Sequence, residues 1–93
     1  MIKSFACRKT ALVFQRQAPK GFPSDILSVA RRKLRMLDAA LSLDELRVPP
    51  NNRLESLKGD RAGQHSIRIN DQWRVCFVWH DGAAYYVEIV DYH

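Results

Sequence analysis

Three runs, "HSIRIN", "WRVCFVWH" and "AAYYVEIVDYH", are rich in β-branched and aromatic residues, and the dipeptides Asn70-Asp71 and Asp81-Gly82 stand between them. Such runs broken by turn dipeptides read as antiparallel strands joined by hairpins. A meander of this kind has an apolar face that must be covered, so the rest of the chain has to supply a second layer. Period-two alternation sorts the faces. Trp73, Val75, Phe77 and Trp79 point to one side, while Arg74, Cys76 and Val78 point to the other. In the preceding strand Ile67 and Ile69 share the apolar side, leaving Ser66, Arg68 and Asn70 opposite. In the last strand Val87 and Ile89 look inward, and Glu88, Val90 and Tyr92 outward. If the outward faces coincide, Arg68, Asn70, Arg74 and Tyr92 share an open, polar sheet surface.

The covering layer comes from the N-terminal half. "MIKSFACR" reads as an edge or internal strand, followed by a helix from about Lys9 to Gln17 and a break at "APKGFP". Ser24 and Asp25 then read as the cap and first-turn acid of a longer helix. Its apolar stripe is Leu27, Ala30, Leu34, Leu37 and Leu41, with Arg31, Arg32 and Arg35 mostly off it. Ser42 and Glu45 form a capping box for one more turn. Pro49 and Pro50 force a loop, and "RLESLKGDRAG" is irregular and basic. The resulting architecture is α+β: an N-terminal strand, then two helices packed on one face of an antiparallel sheet, all within one domain over residues 1–93.

The chain carries 15 Lys and Arg against 10 Asp and Glu, a net charge of +5, with 46% hydrophobic residues. That composition is globular, and its positive field attracts polyanions, nucleic acid first, or an acidic protein partner. No apolar run approaches the roughly 18 residues of a membrane span. The opening residues lack a signal-peptide pattern, so a cytoplasmic protein is expected. Cys7 and Cys76 read as small buried thiols. The three His and two Cys never fall at metal-ligand spacing, so neither a metal nor another cofactor is expected. His65 and His80 read as a sheet-margin and a turn residue.

Lys58, Arg61, Arg68 and Arg74 are suited to phosphate, the arginine fork being able to bind two oxygens at once. Tyr and His side chains suit proton transfer, and a tyrosine ring can stack on a base. RNA cleavage by the substrate's own 2′-hydroxyl needs a proton acceptor, cations for the phosphorane and a proton donor for the leaving oxygen, and no metal. The residues alone imply a basic α+β domain that binds a polyanion.

"RLESLKGDRAGQHSIRINDQWRVCFVW", followed by "VEIVDYH", resembles the HigB-type toxins, or plasmid maintenance killer proteins, of the RelE/ParE superfamily of toxin–antitoxin systems. The likeness runs from "MIKSF" to the last residue. Its most specific pieces are the L-K-G-D-R loop, the N-D-Q-W-R turn and the D-Y-H ending. It implies a ribosome-dependent, metal-independent mRNA endoribonuclease that blocks translation and is neutralised by a helix-turn-helix antitoxin, the complex binding operator DNA. By motif position, Lys58 and Arg74 would hold phosphate, and Asp91, Tyr92 and His93 would supply the terminal catalytic group. Arg61, Arg68 and Asn70 would line the RNA. Some members carry a histidine where this chain has Glu55, which leaves Glu55 or His93 as the group that handles protons. The same superfamily includes ParE-type inhibitors of DNA gyrase, which lack the D-Y-H ending. A degenerate interaction module of the same fold is the other alternative.

Overall fold

The computed structural model describes residues 1–91 of the chain. Its elements are helix α1 (Arg8–Phe14), helix α2 (Leu27–Ala39) and strands β1 (Glu55–Ser56), β2 (His65–Arg68), β3 (Trp73–His80) and β4 (Ala83–Asp91). The strands form one antiparallel sheet in the order β1-β2-β3-β4. Both helices pack on the face carrying Ile67, Val75, Phe77, Val87 and Ile89, all 0–6% exposed. This is the α+β arrangement expected from the alternation. Phe77, fully buried at its centre, is a side chain whose truncation to Ala would cost about 3–5 kcal/mol. Trp73 and Trp79 are only partly buried and flank that core.

Several local expectations are corrected. The N-terminal segment forms no strand of its own; it makes two parallel bridges, Ile2 to Ala84 and Phe5 to Val87, along the outer edge of β4. Its backbone, with the Thr10 hydroxyl accepting from the Ile89 amide at 3.0 Å, satisfies groups that an edge strand would otherwise leave open. Helix α1 stops at Phe14 rather than Gln17 because Arg16 turns left-handed (φ 67°). The Arg16 and Gln17 amides then fold back onto the Val13 and Leu12 carbonyls. Ser24 does not cap α2 through its side chain; the helix is entered through a 3₁₀ turn, Ser24–Ile26. Leu41 leaves the apolar stripe, since Ala40 is extended and Leu41 is 81% exposed. The capping box does form: the Glu45 carboxylate accepts the Ser42 amide at 3.0 Å. A short strand, Glu55–Ser56, lies within the stretch expected to be irregular.

Two turns set the register. At Asp81-Gly82 both residues have positive φ (48° and 76°), the conformation that matches a two-residue hairpin to strand twist. A bulge between β3 and β4 places Tyr86 at φ 54° and shifts pairing from Cys76↔Glu88 to Val78↔Tyr85. That extra residue lets Ala84 and Val87, three apart, both face the core at 0% exposure.

Candidate active site on the outer sheet face

The face away from the helices is organised in rows. Glu55, Ser66, Cys76 and Glu88 are successive partners across all four strands, and Arg68, Arg74 and Val90 form the next row. The expectation of an open surface is corrected here. Ser66 and Cys76 are 0% exposed and Arg74 only 8%. Arg61, from the loop between β1 and β2, reaches over β3 to the Glu88 carboxylate at 3.3 Å and to Gln64 at 3.1 Å. Residues 53–55 close the other side.

Arg74 is the most constrained cation of this face. Its Nε donates to the Ser66 hydroxyl at 2.8 Å, and its Nη2 donates to the Arg53 carbonyl at 2.7 Å. The Ser66 carbonyl lies 3.4 Å from Nη2, and the Glu55 carboxylate 3.6 Å. A guanidinium so held is fixed in plane and direction before any anion arrives. Cys76 sits beneath, between two cations (Arg61, Arg74) and two acids (Glu55, Glu88). Burial is the main reason its thiol is pushed above the ordinary range; Arg61 pulls the other way, Glu88 adds to the rise, and Arg74 and Glu55 contribute less. Cys7, the other thiol, is half-buried, and neither cysteine is in a disulfide.

The remaining candidates fall in different places. Lys58 is exposed and precedes the 3₁₀ turn Gly59–Arg61. Arg68 pairs with the fully exposed Asp71. Asn70 belongs to the turn: its Oδ1 accepts the Gln72 and Trp73 amides, each at 2.8 Å. Asp91 pairs in register with Trp73 and accepts from the Gln72 side chain at 3.0 Å. Tyr92 and His93 lie outside the described residues. His65 stacks on Phe77 and His80 lies beside Asp81 at the turn. Among the described residues no three His, Cys, Asp or Glu side chains group as metal ligands, and no helix is long and apolar enough to cross a membrane.

The family model for the RelE-like toxin of the type II toxin–antitoxin system HigB matches residues 3–93. The chain belongs to that family. Among relatives of this HigB-like toxin, Toxin HigB-1 of Vibrio cholerae serotype O1 is 50% identical over 62 residues, covering 67% of this chain and 65% of that protein. Endoribonuclease HigB of Proteus vulgaris is 34% identical over 93 residues, the full length of both. Two solved structures share the fold at low identity. A YafQ variant from E. coli superposes with a TM-score of 0.64 at 11% identity, covering 98% of this chain and 93% of that one. The YoeB–YefM complex from Staphylococcus aureus gives 0.61 at 18%, covering 100% and 98%.

The positive charge of this HigB-like toxin is not laid along its sheet. Residues 1–37 hold nine cations (Lys3, Arg8, Lys9, Arg16, Lys20, Arg31, Arg32, Lys33, Arg35) and one acid, Asp25; the rest of the chain holds six cations and nine acids. The ion pairs of the described residues all lie in the second part. A running count of charge along the sequence would have found this. Sequence reasoning also left three site residues without a role: Ser66 and Glu88, whose outward direction was legible but whose partners were not, and Arg53, which acts through its backbone.

Proposed function

We propose that this toxin is a ribosome-dependent endoribonuclease that cuts translated mRNA, with the 2′-hydroxyl beside the scissile phosphate as nucleophile. A helix-turn-helix antitoxin neutralises it, and the pair binds operator DNA. The observation that carries this reading is Arg74, a guanidinium held at Nε and Nη2 by Ser66, the Arg53 carbonyl and Glu55 on a shielded sheet face. Charge develops on the phosphorane in the transition state, and a donor already in place stabilises it without having to reorganise. Family membership and the name of the full-length Proteus relative support the same reaction.

In this reading Lys58 and Arg61 flank the phosphate, and Arg68 and the Asn70 side-chain amide follow the RNA strand. The Glu55 carboxylate is engaged with Arg74, so it serves as the arginine's counter-ion. Proton transfer falls to His93, with Tyr92 and Asp91 beside it in sequence. The reaction requires no metal of the toxin's own. The basic helical layer supplies long-range attraction to ribosomal RNA.

The test is induction of wild type, Arg74→Ala and His93→Gln at matched folded levels, scored by growth and by primer extension on a translated transcript. Wild type should cleave within the reading frame and arrest growth. Arg74→Ala should lose on the order of 100-fold in cleavage. The histidine variant should lose much of it too, because an amide keeps the size but cannot titrate. Growth arrest with intact transcripts, or full cleavage by Arg74→Ala, would sink the ribonuclease reading of this face.

A further inference from the structure

Lys33 is a lysine on an arginine-rich helix, yet it is only 6% exposed. Its Nζ donates to the Asn52 Oδ1 at 2.5 Å. Burial, with the nearby Arg32 and Arg68 charges, pushes its pKa below the ordinary lysine value, so the site is costly for a cation. Asn52 is 0% exposed and its amide is fully used. Nδ2 donates to the Leu46 carbonyl at 3.0 Å, to the Val48 carbonyl at 3.4 Å, and lies 3.0 Å from the Met36 sulfur. One side chain therefore ties three points of the 46–52 segment to α2.

The next residue, Arg53, turns left-handed (φ 45°, ψ 54°) and presents its carbonyl to Arg74 Nη2 at 2.7 Å. A carbonyl can aim a guanidinium only as well as its own peptide is fixed. The 3₁₀ turn Pro50–Asn52 and the Asn52 side chain do that fixing. The sheet offers a second hold through Ser66, whose hydroxyl accepts from Nε at 2.8 Å and whose carbonyl lies 3.4 Å from Nη2, but the shorter contact at Nη2 is the Arg53 carbonyl.

We infer that Lys33 and Asn52 are positioning residues for Arg74: a hydrogen-bonded relay from α2 through Asn52 to the Arg53 carbonyl sets the orientation of the guanidinium on the opposite face of the sheet. The inference rests on the reading of Arg74 as the phosphate-binding group. It assigns a reason for a buried lysine that would otherwise only weaken the fold, since an apolar side chain of the same length would fill the space without the desolvation cost.

The relay is tested by Lys33→Met, which keeps the aliphatic stem, and Asn52→Leu, each alone and combined with Arg74→Ala. Cleavage by saturated ribosomes should fall about 10-fold in each single variant, a loss in kcat with half-saturation unchanged, as expected for misaimed groups. In the Arg74→Ala background the same substitutions should cost less than about twofold, because there is no fork left to aim. Independently of activity, hydrogen exchange at the Arg74 Nε–H, followed by NMR in the isolated toxin, should quicken by about 10-fold in Lys33→Met. Losses that multiply in the double variants, or an Arg74 exchange rate unchanged in folded Lys33→Met, would overturn the relay while leaving Arg74 as the site. An Arg74→Ala protein that cleaves like wild type would overturn the site reading and the relay with it. If Asn52→Leu does not fold, the Lys33→Met cycle and the exchange measurement still decide.

Discussion

The helical layer and the outer sheet face both carry cations, and they hold them in opposite ways. On the helical side Arg8, Lys9, Lys20, Arg32 and Arg35 stand exposed, and the ion pairs of the described residues lie elsewhere. Arg31 is bound into the helical packing, donating to the Val13 and Gln17 carbonyls at the end of α1. On the sheet side Arg61 and Arg74 are each set against a glutamate and embedded in further hydrogen bonds. Exposed, solvated charge contributes attraction that is non-directional and easily screened. Charge that is buried and braced contributes direction. A basic balance therefore says little about which cations are held in a fixed direction: here those are Arg61 and Arg74, each set against a neighbouring glutamate.

The largest expected effect separates geometry from charge. Arg74→Lys keeps the positive charge but loses the planar fork, so cleavage should drop on the order of 10- to 100-fold. The matching Arg32→Lys on the helical layer should change nothing measurable. Equal effects in the two variants, read by single-turnover cleavage, would break the distinction between braced and solvated cations.

A smaller effect is expected from thinning the helical layer. Replacing Arg8, Arg32 and Arg35 together by Gln should leave the thermal midpoint within a few degrees, as surface changes usually do. It should lower the slope of log affinity against log salt by roughly 0.7–0.9 for each phosphate no longer neutralised, while saturated cleavage stays the same. A fall in cleavage with an unchanged salt slope would reverse the assignment of the two regions.

Modest effects of opposite sign should follow from Glu88→Gln. The substitution removes the counter-ion of Arg61, whose pair is about one-third exposed on each side, and so worth little to stability. RNA affinity should rise a few-fold at low salt, because Arg61 no longer divides its charge between glutamate and phosphate. Weaker binding would mean that Glu88 chiefly holds Arg61 in place.

The smallest effect concerns Cys76. Burial raises its pKa above the ordinary 9.0, so the native thiol should alkylate at pH 8 only through opening of the sheet, and far more slowly than half-buried Cys7. The sign for stability follows. The folded pKa lies above the unfolded one, so the thiol's contribution is intact below about pH 9 and is lost as pH rises toward the folded value. Cys76→Val should remove that alkaline loss in denaturant titrations followed by circular dichroism.

The residues by themselves determined the layer arrangement, strands β2, β3 and β4, the inward and outward parity of β2, β3 and most of β4, and the Asp81-Gly82 hairpin. These are local properties: a period of two, turn chemistry and an apolar stripe are written in neighbouring residues. Lys58, Arg74 and the ending Asp91-Tyr92-His93 were proposed as site residues through the likeness of short motifs. Only the tertiary structure decided that the outward face is shielded rather than open, because that depends on where a loop 13 residues before Arg74 in sequence order, at Arg61, comes to lie. It also decided that Lys33 is buried, that a bulge at Tyr86 brings Ala84 and Val87 to the same side, and that a backbone carbonyl at Arg53 meets the arginine fork. Alternation gives a side chain's direction. What stands above it is fixed by packing between residues far apart in the chain, and direction alone carries no record of them.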